Sequence, residues 1–180
     1  MNTFTRSIVQ IFKGAARAFQ TFPATIASAL AFAVVTMVRI QLDYPIQDAY
    51  QEIITSLQWS LALSGVLSMA AITGVQSRLN QRKAFLGANL LGAVAFAGTF
   101  LALYLPSDLV TGLALSRVGV AILVSLFAFI VLSAYPPGQS DFARAFFMTH
   151  KAFFIALIYG LVIMGGTSGV AGAIKALIYR

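Results

Sequence analysis

Cysteine is absent from the sequence, and charge is scarce. Without thiols there can be no disulfide, no thiol nucleophile and no thiolate metal site. Charged residues make up 9% of the 180, where soluble domains carry about 25%. A water-facing surface cannot be covered with so few. The one histidine, His150, sits beside Lys151. It has no neighbouring acid or thiol with which to hold zinc, and one His does not make a nucleophilic triad. No Gly-rich phosphate loop follows a strand pattern. No carboxylate lies inside any long apolar run, yet proton-coupled transporters and intramembrane proteases need ionisable groups at depth. These absences leave no catalytic residue, no metal ligand set and no cofactor to name, and they argue against an enzyme.

Apolar side chains are 59% of the chain, against about 45–50% in soluble domains. Uncharged runs stretch from Arg17 to Arg39, Glu52 to Arg78, Lys83 to Asp108, Arg117 to Asp141 and Lys151 to Lys175. Each exceeds the roughly 20 residues that a helix needs to cross the hydrocarbon. The expected fold is therefore all-α: a polytopic transmembrane helix bundle of about five spans, with interfacial helices at the N- and C-terminal ends.

The spans are expected at about 23–38, 57–75, 84–105, 118–135 and 152–164, forming one transmembrane domain over 23–180. Residues 1–22 read as an amphipathic helix on the membrane surface. Phe4, Ile8, Ile11, Phe12 and Phe19 share one side, with Arg6, Lys13 and Arg17 largely on the other. Thr21 is placed to cap the first span, with Pro23 in its first turn. Pro45 is expected at a turn in the loop after span one, before a short amphipathic helix. Trp59 and Tyr104 suit interfacial anchors. Pro106-Ser107-Asp108 is expected to break the chain and cap a short helix to Ala114. Gly165–Gly169 is expected to interrupt the last span, with Thr167 or Ser168 capping a final surface helix.

Orientation follows from Gln76–Lys83, which reads QSRLNQRK. Arg78, Arg82 and Lys83 in so short a link determine topology, because such loops stay cytoplasmic. With the N-terminus inside, eight cations are inside: Arg6, Lys13, Arg17, Arg78, Arg82, Lys83, Arg144 and Lys151. Four are outside: Arg39, Arg117, Lys175 and Arg180. This predicts a multi-pass protein of the cell membrane, with its N-terminus in the cytoplasm. The net charge of +7 is then directed at anionic lipid headgroups rather than nucleic acid.

Helices in lipid associate through small residues. Span two offers Ser60, Ser64, Ser68 and Ala71. Span three offers Ala88, Gly92, Ala95 and Thr99, and span five Ala152, Ala156 and Gly160. They read as packing faces, with a polar path as the alternative. Four further positions are candidates for binding. Asn89 is an amide well inside a span, suited to bonding a neighbouring helix. Arg117 either snorkels from the start of span four or, if that span begins near Leu109, marks a site in the membrane. Thr167 and Ser168 would start a half-helix facing an anion if the Gly-rich break lies in the bundle.

Phe19-Gln20-Thr21-Phe22-Pro23-Ala24-Thr25, Leu61–Arg78, and the stretch from Asp141-Phe142 through Ala173-Ile174-Lys175-Ala176-Leu177-Ile178 together resemble the bacterial membrane protein family "domain of unknown function 4153". The likeness extends over much of the chain. Ala143 and Phe146 stand where that family tends to carry Trp and Asn. The resemblance implies a membrane class and no particular mechanism.

Two functions are expected from the whole. The leading one is a non-catalytic membrane scaffold or subunit, binding other membrane subunits or a second copy of itself. The alternative is a transporter- or channel-like permeation protein. A cavity along Ser60–Ser68, Asn89 and Arg117 would favour the second, and a dry seam the first.

Overall fold

A computed structural model of the chain describes residues 13–14, 16–78, 82–105, 112–134 and 141–178. Among them the fold is helical, without a strand. Helical residues 16–21 lead to α1 (Pro23–Gln41), α2 (Tyr44–Ala49), α3 (Gln51–Arg78), α4 (Arg82–Tyr104), α5 (Gly112–Ser133) and α6 (Phe142–Ile178). All but α2 are long and apolar enough to cross a membrane.

The helix α3 is the axis of the bundle, and α1, α4 and α5 pack around it. Thr25 meets Ser68, Ser28 meets Ser64, and Arg39 meets Gln58, so α1 runs antiparallel to α3. Gly119 faces Trp59 and Gly74 faces Leu132, so α5 runs parallel to α3. Five spans that alternate in direction require this relation, since the second and fourth cross the same way. The buried apolar set is small: Ile54, Leu61, Leu63, Ala70 and Ile72 on α3, Ala88 and Leu103 on α4, Ile130 on α5 and Ala145 on α6. The large exposed side chains cover the outside of the bundle, as a bilayer solvent requires.

The helices run beyond the apolar spans. α3 begins at Gln51 rather than near Leu57, so the polar turn and the span are one helix of 28 residues. Nothing between Gln51 and Arg78 breaks a helix; the polar residues there change the surroundings of the helix and not its geometry. Pro45 lies in the first turn of α2 rather than at a turn before it, where its missing N–H is tolerated. The link expected over Gln76–Lys83 is helical up to Arg78 and again from Arg82. α5 begins at Gly112 rather than near Val118. Gly112–Ala114 are therefore its first residues and not the end of a separate helix. Ser107 and Asp108 lie outside the described residues, as do residues 1–12 of the expected surface helix.

Two expected hydroxyl caps are absent. Thr21 donates to the Arg17 carbonyl at 2.8 Å, and Phe22, with no side-chain bond of its own, takes the N-cap position. Thr167 donates to the Ile163 and Met164 carbonyls at 2.9 and 3.1 Å. α6 passes through Gly165–Gly169 without interruption for 37 residues. Among the described residues no separate C-terminal helix follows. Each Gly weakens a helix by about 1 kcal/mol, whereas freeing backbone groups in an apolar setting costs several. The hydroxyls bond backward along the helix instead of starting a new one.

Candidate functional site

Four serines spaced by four residues, Ser56, Ser60, Ser64 and Ser68, give α3 a narrow polar stripe. Their exposures are 0%, 0%, 2% and 0%. Their small size lets neighbouring backbones come close. A Cβ built at Gly92 would lie 2.8 Å from the Ser68 Cβ and 3.6 Å from the Ala24 Cβ. The Ser64 hydroxyl donates to the Gly92 carbonyl at 2.8 Å and is 3.1 Å from the Ser28 hydroxyl. The hydroxyls of Thr25 and Ser68 are 3.0 Å apart. Ser60 and Ser68 donate back to the Leu57 and Gly65 carbonyls, each at 3.0 Å. Interhelical bonds of this kind each contribute about 0.6 kcal/mol in a bilayer. Ser56 Oγ is buried without a hydrogen-bond partner among the described residues.

At one end of the seam, Asn89 completes the start of α1. Its Oδ1 accepts the Ala24 N–H at 3.2 Å, and its Nδ2 donates to the Phe85 carbonyl at 2.9 Å. Pro23 has no N–H to satisfy. Thr25 sits level with Ser68, ten residues before the end of α3, so α1, which starts two residues earlier at Pro23, begins about 12 Å along the bundle from Arg78. A helix start recessed among apolar neighbours needs an internal cap, and α4 supplies it.

At the other end Arg39, half-buried in the last turn of α1, donates from Nη1 to Gln58 Oε1 at 2.7 Å. Gln58 Nε2 donates to the Thr36 hydroxyl at 3.0 Å, and Thr36 donates to the Phe32 carbonyl at 2.8 Å. Gln47 of α2 donates to the Arg39 carbonyl at 3.3 Å. Beside this chain, a cavity of about 320 Å³ opens between α1, α3 and α5.

The sequence candidates are not gathered into one site. Ser64, Ser68, Ala88 and Gly92 are buried among α1, α3 and α4. Asn89 is at the start of α1. Arg117 is exposed in the second turn of α5, towards the opposite end of the bundle. Ala156, Gly160, Thr167 and Ser168 are exposed on α6, and a Cβ at Gly160 would meet nothing within 4 Å. Among the described residues, Ala156 and Gly160 therefore pack against no other helix. Arg78 and Arg82 lie at facing helix ends, and Lys83 is exposed. Among the described residues no group of His, Asp or Glu is placed to hold a metal. His150 Nδ1 lies 2.9 Å from the Phe146 carbonyl, and its ring centroid is 4.0 Å from that of Phe146.

Sequence reasoning missed the Arg39–Gln58 pair. Its signal was present: Gln58 is an amide within the second expected span, one residue from Trp59. No family model matches the chain, and no curated protein or solved structure matches it significantly.

Proposed function

We propose that the chain is a non-catalytic membrane module, a scaffold or subunit in which α1–α5 form the anchored body and α6 docks a further membrane segment. The observation that carries this reading is the condition of α6. Every residue from 151 to 170 is exposed, and only the first turns of the helix meet α5. Ala156 and Gly160 share a face one turn apart, the kind of face on which a second helix packs closely. In the body, the same kind of surface is already used at Ser64, Ser68, Ala88 and Gly92. The partner is another membrane subunit or a second copy.

The buried serine seam supports this reading over permeation. Its hydroxyls bond one another and nearby carbonyls, and the cavity of about 300 Å³ that Thr25 and Ser28 border has an almost wholly apolar wall. The eight-to-four division of cations favours a cytoplasmic N-terminus and a cytoplasmic Arg78–Arg82 link. The likeness to the "domain of unknown function 4153" family belongs to the same proposal and adds no activity.

The absence of native cysteine makes the test clean. Gly160→Cys and Val120→Cys are compared in native membranes under mild oxidation or with a short thiol crosslinker. Val120 is exposed on α5. An adduct at position 160 and none at 120 is expected. No adduct at 160, or equal adducts at both, would defeat the proposal.

A further inference from the structure

We infer that the cavity beside Arg39 is a binding site for one lipid whose headgroup joins a phosphate to a primary ammonium, the chemistry of phosphatidylethanolamine. The inference is independent of what docks on α6. Phe32 of α1, Gln58, Trp59 and Ala62 of α3, and Ile122 of α5 line the cavity. Its volume of about 320 Å³ is near the lower limit for ligand sites, about 300 Å³. That suits part of one acyl chain against a mostly apolar wall.

The one polar liner is Gln58, and its amide is already committed to Arg39 and Thr36. Gln58 thus holds the guanidinium one side chain away from the cavity, whose other lining residues are apolar. The bond to Gln58 uses only one of the several N–H donors of Arg39. Among the described residues no carboxylate pairs with it. A phosphate matches the remaining donors better than any other lipid group.

Arg39 alone would favour any phospholipid, an anionic one most of all. Its surroundings change that preference. Asp43, Asp48 and Glu52 are three of the five acids in the chain. All are exposed on the short stretch that joins the end of α1 to the start of α3. Gln47, within that stretch, bonds the Arg39 backbone. A headgroup with a net negative charge meets these carboxylates as like charges. A headgroup carrying its own ammonium pairs with them while its phosphate stays on Arg39. A trimethylated ammonium lacks the N–H donors for charge-assisted bonds.

Trp59 lines the cavity and is the only tryptophan in the chain, so its fluorescence reports occupancy. The full protein is reconstituted in unbrominated phosphatidylcholine vesicles. Small fractions of acyl-brominated phosphatidylethanolamine, phosphatidylglycerol or phosphatidylcholine are then added, and quenching is compared with mole fraction. Brominated phosphatidylethanolamine is expected to quench as if enriched about fivefold, the scale of one favourable charge contact at a membrane surface. Arg39→Gln should remove the enrichment. Ala62→Leu should also remove it, by filling the cavity while leaving every headgroup contact in place. Arg117→Gln should preserve it. Quenching that tracks mole fraction for all three lipids would overturn the inference. So would phosphatidylglycerol matching or exceeding phosphatidylethanolamine, or enrichment that survives both Arg39→Gln and Ala62→Leu.

Discussion

Gly92 offers a sharp physical test, because α4 carries its own control. A methyl group added at Gly92 would sit 2.8 Å from the Ser68 Cβ, whereas carbon atoms rest at about 3.5–4.0 Å. That Ser68 carbon is fixed to the α3 backbone and cannot swing aside. The helices must separate by about 0.7–1.2 Å, which also stretches the Ser64 bond to the Gly92 carbonyl, now 2.8 Å. Overpacking of this size costs about 1–3 kcal/mol. Replacing Gly in a helix returns about 1 kcal/mol, so Gly92→Ala should destabilise by about 0–2 kcal/mol. At Gly98, on the same helix, an added Cβ meets nothing within 4 Å, so Gly98→Ala should gain up to about 1 kcal/mol. Thermal unfolding in detergent should place Gly92→Ala below Gly98→Ala by about 2–12 °C. Pairing Gly92→Ala with Ser68→Gly should recover part of the loss. If the two single variants melt together, α3 and α4 do not meet at Gly92, and the packing argument fails.

Further outcomes follow from individual contacts. Asn89→Leu removes the cap on the Ala24 N–H and should cost about 0.5–2 kcal/mol in the same assay; an unchanged melt would mean that α1 is not capped from α4. Thr167→Val should leave helix content unaltered by circular dichroism, since Thr167 caps nothing; a loss of helix would contradict the continuity of α6. For orientation, Ala49→Cys should react with an impermeant thiol reagent from outside intact cells and Gln76→Cys should not. The reverse pattern would invert the proposed topology.

The spacing of charges exposed the five spans because burying a charge in hydrocarbon is costly whatever the fold. It did not expose the helix ends. Gln51–Ser56 is polar enough to read as a separate surface segment, yet nothing in it interrupts the backbone, and α3 runs through it. Thr21 and Thr167 had the chemistry of caps, but a hydroxyl can equally satisfy itself on the preceding turn, and the sequence does not show which bond wins. Small-residue faces were visible as a pattern and ambiguous as to partner. Ala88 and Gly92 lie against α3, while Ala156 and Gly160, with the same spacing, meet no other helix among the described residues. The Arg39–Gln58 contact joins residues nineteen positions apart. It depends on the depth at which α1 sits against α3, and local periodicity carries no information about that depth.

In the proposed function α6 presents a docking face rather than a lipid-facing surface. Spin labels placed one at a time along residues 152–170 in native membranes, read by their accessibility to oxygen, measure this directly. A docked partner gives a helical periodicity with its minima at Ala156 and Gly160, where it excludes lipid. Uniformly high oxygen accessibility around the whole helix would contradict it.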